Sequence, residues 1–66
     1  MRAAELREMT IEELEQQEAE LKRKLFNLRF QRASGELDNT VELKKTRRDI
    51  ARVMTVIVQR TQEAAR

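Results

Sequence analysis

Residues 33–40 read ASGELDNT, and this short stretch decides the fold because it is the one clear break in a sequence of 66 residues. It contains the single glycine, Gly35, and the sequence has no proline. Glycine suits a left-handed position just past a helix end, and Asp38 and Asn39 continue the turn. We therefore predict a loop over about residues 35–39 that separates two long segments.

The segment before the loop has a helical start signal and a leucine face. Residues 10–13 read TIEE, a capping box in which Thr10 accepts a backbone N–H and Glu13 reaches back to the N–H of Thr10. One helical face then carries Leu14, Leu21, Leu25 and Leu28 at spacings typical of an amphipathic helix. The pattern predicts a helix over about residues 10–34, and residues 1–9 can add a short helical turn.

The segment after the loop carries a second start signal, in which Glu42 follows Asn39 by three residues. A helix is predicted over about residues 40–64. Its apolar positions gather into one arc of a helical wheel. They are Leu43, Ile50, Val53, Met54, Ile57 and Val58.

A short loop between two long amphipathic helices favours antiparallel packing. The predicted fold is therefore all-α, an elongated antiparallel two-helix hairpin with a short N-terminal helical turn, forming a single domain over residues 1–66. We expect Leu25 to pack near Ile50, and Leu21 near Met54.

The composition excludes several classes of protein. Hydrophobic residues make up 39% of the sequence and charged residues another 39%, with no Cys and no His, so disulfides and the usual zinc sites are excluded. No His, Cys or Tyr and a single serine, Ser34, leave no catalytic constellation, so neither enzyme activity nor a cofactor is expected. No apolar run is long enough to span a bilayer, and no signal peptide is recognisable, so a cytoplasmic protein is expected. A core this thin predicts only marginal stability for the isolated chain.

The charges are distributed unevenly along the chain. Residues 1–20 contain seven acids and two bases, whereas residues 21–66 contain twelve bases and five acids. The acidic stretch 12–20 is interpreted as a helix face and not as a set of metal ligands, and it either points at solvent or recruits a basic neighbour. The basic remainder indicates a polyanionic partner more than a small-molecule substrate.

One face of the second helix concentrates this positive charge. Within about 100° of the helical wheel it carries Lys44, Lys45, Arg48 and Arg52, nearly opposite the apolar arc; this set is called the basic face below. A cationic row along a rod suits a phosphodiester backbone. The alternative is a solvated surface with intrahelical pairs such as Lys45 with Asp49. Two long helices do not resemble a helix-turn-helix unit, so structured RNA recognised by shape is the favoured ligand.

Phe26 and Phe30, called the aromatic pair below, form a second apolar stripe with Ala19 and Ala33 on the first helix. The stripe lies about 130° around the helix from the leucines. The aromatic pair either widens the hairpin seam or meets the N-terminal segment, or it is a contact patch for a protein groove or a stacked base.

Three blocks of sequence carry a resemblance to a known family. They are LFNLRFQ at residues 25–31, ASGELDN at 33–39 and RRDIARVMT at 47–55. In this order, and with the Thr-x-x-Glu-Leu start at Thr10, they resemble the bacterial large-subunit ribosomal protein number twenty-nine family over nearly the whole chain.

The resemblance implies a helical hairpin bound to large-subunit rRNA beside the polypeptide exit tunnel. It also implies contact with ribosomal protein number twenty-three, close to where nascent-chain factors dock. The residues that it marks as RNA-facing candidates are Asn27, Arg29, Gln31, Asn39, Arg47, Arg48, Arg52 and Thr55. Met54 stands where lysine is common in the family, and we interpret it as a packing residue of the apolar arc.

Two hypotheses of different classes follow from the sequence. The first is a structural rRNA-binding protein of the large ribosomal subunit, with the aromatic pair as candidate protein contacts. The second is a coiled-coil adaptor that dimerises through the leucine face. RNA binding should weaken steeply as ionic strength rises, whereas apolar dimerisation should persist.

Overall fold

The computed structural model describes residues 2–37 and 40–64, and within these residues the chain forms three helices. They are α1 (Ala3–Arg7), α2 (Ile11–Ala33) and α3 (Val41–Ala64). α2 and α3 pack against each other along a rod of 48 × 17 × 15 Å, and α1 packs on α3. An ion pair of 3.3 Å joins Lys24 Nζ, late in α2, to Glu42 Oε2, early in α3. The predicted all-α antiparallel hairpin with a short N-terminal helix is confirmed.

The start of α2 is fixed by the predicted N-cap. The backbone N–H of Glu13 donates to Thr10 Oγ1 at 3.1 Å, which satisfies one of the amides that a helix start leaves unpaired. The Glu13 carboxylate accepts the hydroxyl of Thr10 at 3.2 Å, whereas the sequence predicted that it would accept the backbone N–H of that residue. Both arms of the interaction therefore use the threonine side chain.

The end of α2 is a Schellman-type turn centred on Gly35. The N–H of Gly35 donates to Arg32 O at 3.2 Å, and the N–H of Glu36 donates to Gln31 O at 2.8 Å, which is the hydrogen-bond pattern of that motif. Gly35 has a φ of 81°, in the left-handed region that glycine adopts without a steric cost. The predicted role of this glycine is confirmed.

The start of α3 is described from Thr40 onward. Asp38 and the predicted cap residue Asn39 lie outside the described residues. The backbone N–H of Lys44 donates to Thr40 O at 3.1 Å, so the first turn of α3 follows directly from Thr40.

The apolar core lies toward the end of the rod where α1 meets α3. Its buried members come from all three helices and are Leu6, Leu14, Leu21, Val53 and Val56. Met9, Ile50 and Ile57 pack against them and are half-buried. Leu6, on the short α1, is completely buried. The N-terminal segment is therefore part of the core.

The buried face of α3 is rotated from the predicted arc. Met54 is 45% exposed and Val58 is 53% exposed, and neither belongs to the core cluster, so the predicted apolar arc is wrong at these two positions. The buried residues of α3 are Leu43, Thr46, Asp49, Val53 and Val56. The single partner helix, α2, covers only a limited width of α3. The covered side is the one that carries these buried residues, which follow one another at intervals of three or four positions. Met54 and Val58 lie about 100° and 140° around the helix from Val53, outside that width.

Candidate nucleic-acid interface

The basic face of α3 is exposed along its whole length. Lys44, Lys45, Arg48 and Arg52 are all exposed, and Lys44, Arg48 and Arg52 climb the helix in steps of about 6 Å. Val41, Lys44, Lys45 and Arg48 line a shallow depression at the loop end of this face. The structure thus brings together the four bases that the sequence placed on one surface.

One of these bases is held by a carboxylate. Arg52 Nη1 lies 3.6 Å from Asp49 Oδ1, and the Asp49 side chain is only 13% exposed. Asp49 therefore pairs with Arg52, three residues later, where the alternative interpretation paired it with Lys45. The carboxylate offsets part of the charge of the guanidinium. Lys44, Lys45 and Arg48 project into solvent and contribute most of the available positive charge.

Thr55, one turn beyond the basic face, already uses its hydroxyl hydrogen. Thr55 Oγ1 donates to Ala51 O at 2.8 Å, a common arrangement for threonine inside a helix. The oxygen retains its capacity to accept. Thr55 is exposed, so it can accept a hydrogen bond from a ligand hydroxyl such as the 2′-OH of RNA.

The other RNA-facing candidates do not share one surface. Asn27 and Gln31 are exposed and lie one turn apart on one side of α2, whereas Arg29 is exposed about 160–200° away around the same helix. Arg47 is exposed on α3 about 100° from Arg48. Asn39 lies outside the described residues. These polar candidates are therefore distributed around the hairpin.

The aromatic pair is on the outer surface. Phe26 is 68% exposed and Phe30 is 67% exposed. The interpretation that they widen the hairpin seam or meet the N-terminal segment is therefore wrong. They lie about 120–160° around α2 from the buried Leu14, and α1 packs on α3 at the other end of the rod.

Sequence reasoning missed two polar groups on the buried side of α3. Thr46 is buried, and its Oγ1 has no hydrogen-bond partner among the described residues; Arg60 is half-buried, and its Nη1 is in the same situation. Arg60 lines a depression with Arg7, Gln59 and Glu63. Thr46 and Arg60 each lie seven residues from Val53. This heptad spacing is the sequence signal that could have predicted both on the buried side of α3.

In residues 2–37 and 40–64, no cluster of three or more acidic, histidine or cysteine side chains has a metal-binding arrangement. None of the helices described has the length and hydropathy that crossing a bilayer requires.

The described residues thus form a narrow, mainly helical rod with an exposed cationic face on α3, which is the architecture of a small helical-hairpin protein. The family model for the ribosomal L29 protein matches residues 4–60, and the chain belongs to this family. Members are structural rather than catalytic proteins. The resemblance noted in the sequence is confirmed.

Several relatives are similar over almost their whole length. The large ribosomal subunit protein uL29 of Rubrobacter xylanophilus is 56% identical over 63 residues, which are 96% of this chain and 94% of the relative. The protein of the same name from Syntrophotalea carbinolica is 57% identical over 91% of this chain and 97% of its own. That of Geobacillus stearothermophilus is 52% identical over 91% of each chain.

Proposed function

We propose that this chain is a structural constituent of the large ribosomal subunit, bound to the ribosome in the cytoplasm, and that the basic face of α3 binds the backbone of large-subunit rRNA. The names of the relatives support the first statement. The second rests on one observation, the exposed row of Lys44, Arg48 and Arg52, with Lys45 beside it.

The mechanism is charge neutralisation by a rigid rod. Each phosphate that a lysine or arginine neutralises releases condensed counterions, and this release supplies affinity that falls as salt rises. α3 has 24 residues and is therefore about 36 Å long, so its cations keep a fixed spacing. RNA must match that spacing, which makes the folded shape of the RNA the source of specificity.

The remaining polar candidates support a clamp. Asn27 and Gln31 lie on one side of α2 and Arg29 on another, while Thr55 borders the basic face. Groups that point in several directions can contact RNA segments on more than one side of the hairpin and fix the register. Arg47 and Asn39 complete this proposed set.

The location within the subunit is a further part of the proposal. The family resemblance supports a position beside the polypeptide exit tunnel, in contact with ribosomal protein number twenty-three and close to nascent-chain factors. The elongated shape, 48 Å by 17 Å, suits a protein that lies along the RNA surface and reaches a neighbouring protein.

The competing hypothesis is a coiled-coil adaptor, which requires an exposed leucine face for dimerisation. Leu14 and Leu21 are buried in the core with Val53 and Val56, and Leu25 and Leu28 are half-buried. The leucine face is thus already covered within one chain.

The test of the basic face is a charge reversal that spares the Asp49–Arg52 pair. The variant is Lys44→Glu/Arg48→Glu, and the ligand is an in vitro transcript of large-subunit rRNA. The slope of log affinity against log salt concentration should become shallower by about 2, and the affinity should fall at least roughly tenfold. Filter binding at several salt concentrations measures both quantities, and circular dichroism should show unchanged helicity.

The matched control is Arg2→Glu/Arg7→Glu, which changes the net charge equally at two exposed positions near α1. It should bind nearly as the unaltered chain does. Equal losses in the two variants would show that net charge, and not the basic face, governs binding, and would refute the proposed interface.

Membership of the subunit has its own test. A tagged copy in cell lysate should sediment with the large ribosomal subunit through sucrose at both low and moderately high salt. Sedimentation as a free small protein at both salts would overturn the structural role.

A further inference from the structure

Among the described residues, Phe26 and Phe30 are the most exposed of the large apolar side chains. Phe26 and Phe30 are each about two-thirds exposed and lie one turn apart, so their rings are neighbours on the helix surface. Their exposure leaves two large apolar side chains in water, which costs free energy in the free chain. Exposed apolar surface of this kind marks an interaction site.

The neighbours of the aromatic pair indicate what covers it. On a helix, the side chains around a given residue are those three and four positions away. For Phe26 these are Lys22, Arg23, Arg29 and Phe30, all of them exposed. Phe30 is bordered by the small or polar residues Asn27, Ala33 and Ser34. One aromatic ring thus has three cations among its helix neighbours, and none of the positions three or four residues from either ring is a leucine, isoleucine, valine or methionine.

The charge around the pair is one-sided. Residues 21–35 contain five bases and no acid. Lys22 Nζ is paired with Glu18 Oε1 at 2.6 Å, so Arg23 and Arg29 carry most of the positive charge beside the rings. This excess of positive charge beside the rings complements a polyanion. Aromatic rings flanked by cations are typical of sites that stack unpaired bases and hold the adjoining phosphates.

We propose that the aromatic pair is a stacking platform for unpaired bases of large-subunit rRNA, with Arg23 and Arg29 holding the phosphates on either side. This inference rests on the proposed function and adds a second RNA contact of a different kind. The basic face binds the phosphates of the RNA backbone, whereas the stacking platform requires unpaired bases.

The test separates stacking from general apolar contact. Phe26→Leu/Phe30→Leu keeps two large apolar side chains and does not lower helix propensity, but it removes the π-faces and should weaken binding to the large-subunit rRNA transcript roughly tenfold. Phe26→Trp/Phe30→Trp offers larger rings and should bind at least as tightly as the unaltered chain. A protein groove would accept leucine and reject tryptophan.

The matched control is Met54→Ala/Val58→Ala, a pair of exposed apolar residues one turn apart on α3; its affinity for the transcript should not change. Unchanged affinity of the leucine variant would refute the stacking platform. The proposed function would be unaffected, because it is tested separately by the salt dependence and by Lys44→Glu/Arg48→Glu. Unchanged affinity for the transcript together with loss of the leucine variant from assembled subunits would assign the pair to a protein neighbour instead. No salt-dependent binding by the unaltered chain would overturn both proposals.

Discussion

The two halves of α3 bury different kinds of side chain. The half near the loop, residues 41–50, buries Leu43 together with Thr46 and Asp49, and it carries most of the basic face. The far half buries Val53 and Val56 in an apolar core to which all three helices contribute. One half of the same helix therefore contributes mainly to packing, whereas the other mainly presents exposed cations.

The difference shows where the fold gets its stability. Full burial of a large apolar side chain contributes about 1.5–3 kcal/mol, and the far half collects several such residues because α1 closes it with Leu6. The loop half is covered by α2 alone and buries polar groups. We expect the free chain to open first at the loop half, and bound RNA to stabilise that half most.

The largest expected effect is the removal of Leu14, an α2 residue in the core beside the far half of α3. Leu14→Ala should lower the free energy of unfolding by about 2–5 kcal/mol, because it leaves a cavity in a fully packed site. That loss is comparable to the total stability of so small a domain, so the chain should be largely unfolded by circular dichroism.

The paired measurement is Leu25→Ala, at a half-buried position nearer the loop. It should cost clearly less than Leu14→Ala in urea denaturation. Equal costs would contradict the division of stability between the two halves.

An intermediate effect is expected at the loop. Gly35→Val should destabilise the chain by about 1–2 kcal/mol, because Gly35 has a φ of 81° that side chains with a Cβ resist. A Cβ placed there would meet nothing within 4 Å, so the cost comes from the backbone conformation alone. Gly35→Asn should cost less, since asparagine tolerates the left-handed region; equal melting points for the valine variant and the unaltered chain would refute the role of Gly35.

The smallest effect should be a gain. Thr46→Val replaces a buried hydroxyl, which has no hydrogen-bond partner in residues 2–37 and 40–64, with a methyl group of similar size. The substitution should raise the free energy of unfolding by up to about 1 kcal/mol, because the desolvation penalty of the hydroxyl disappears. Urea denaturation measures the gain. A loss of stability would show that the hydroxyl makes a hydrogen bond in solution, for instance with a buried water.

The features that local chemistry determines were predictable from the sequence. The capping interaction of Thr10 with Glu13 and the left-handed Gly35 depend on hydrogen bonds and sterics within a few residues. The exposure of the basic face was also predictable, because lysine and arginine rarely lose their hydration unless they are paired.

The features that depend on the angle between helices were not predictable. The rotation that exposes Met54 and buries Thr46 depends on which strip of α3 the single partner helix covers, and the apolar pattern alone allowed a wider arc. The aromatic pair was left open for the same reason. The Asp49–Arg52 pair required the actual side-chain geometry, since Lys45 was an equally suitable partner by spacing.

The rod is also an electric dipole. Among the described residues, the loop half of the hairpin (21–37 and 40–50) contains nine bases and three acids, whereas the other end (2–20 and 51–64) contains eight acids and four bases. A polyanion attracts one end and repels the other, so the chain experiences a torque as well as a pull. We expect it to approach RNA with the loop first. Because the Debye length is about 8 Å at physiological salt, this orientation is set only in the last part of the approach, when the nearest phosphates can distinguish the two ends of a 48 Å rod.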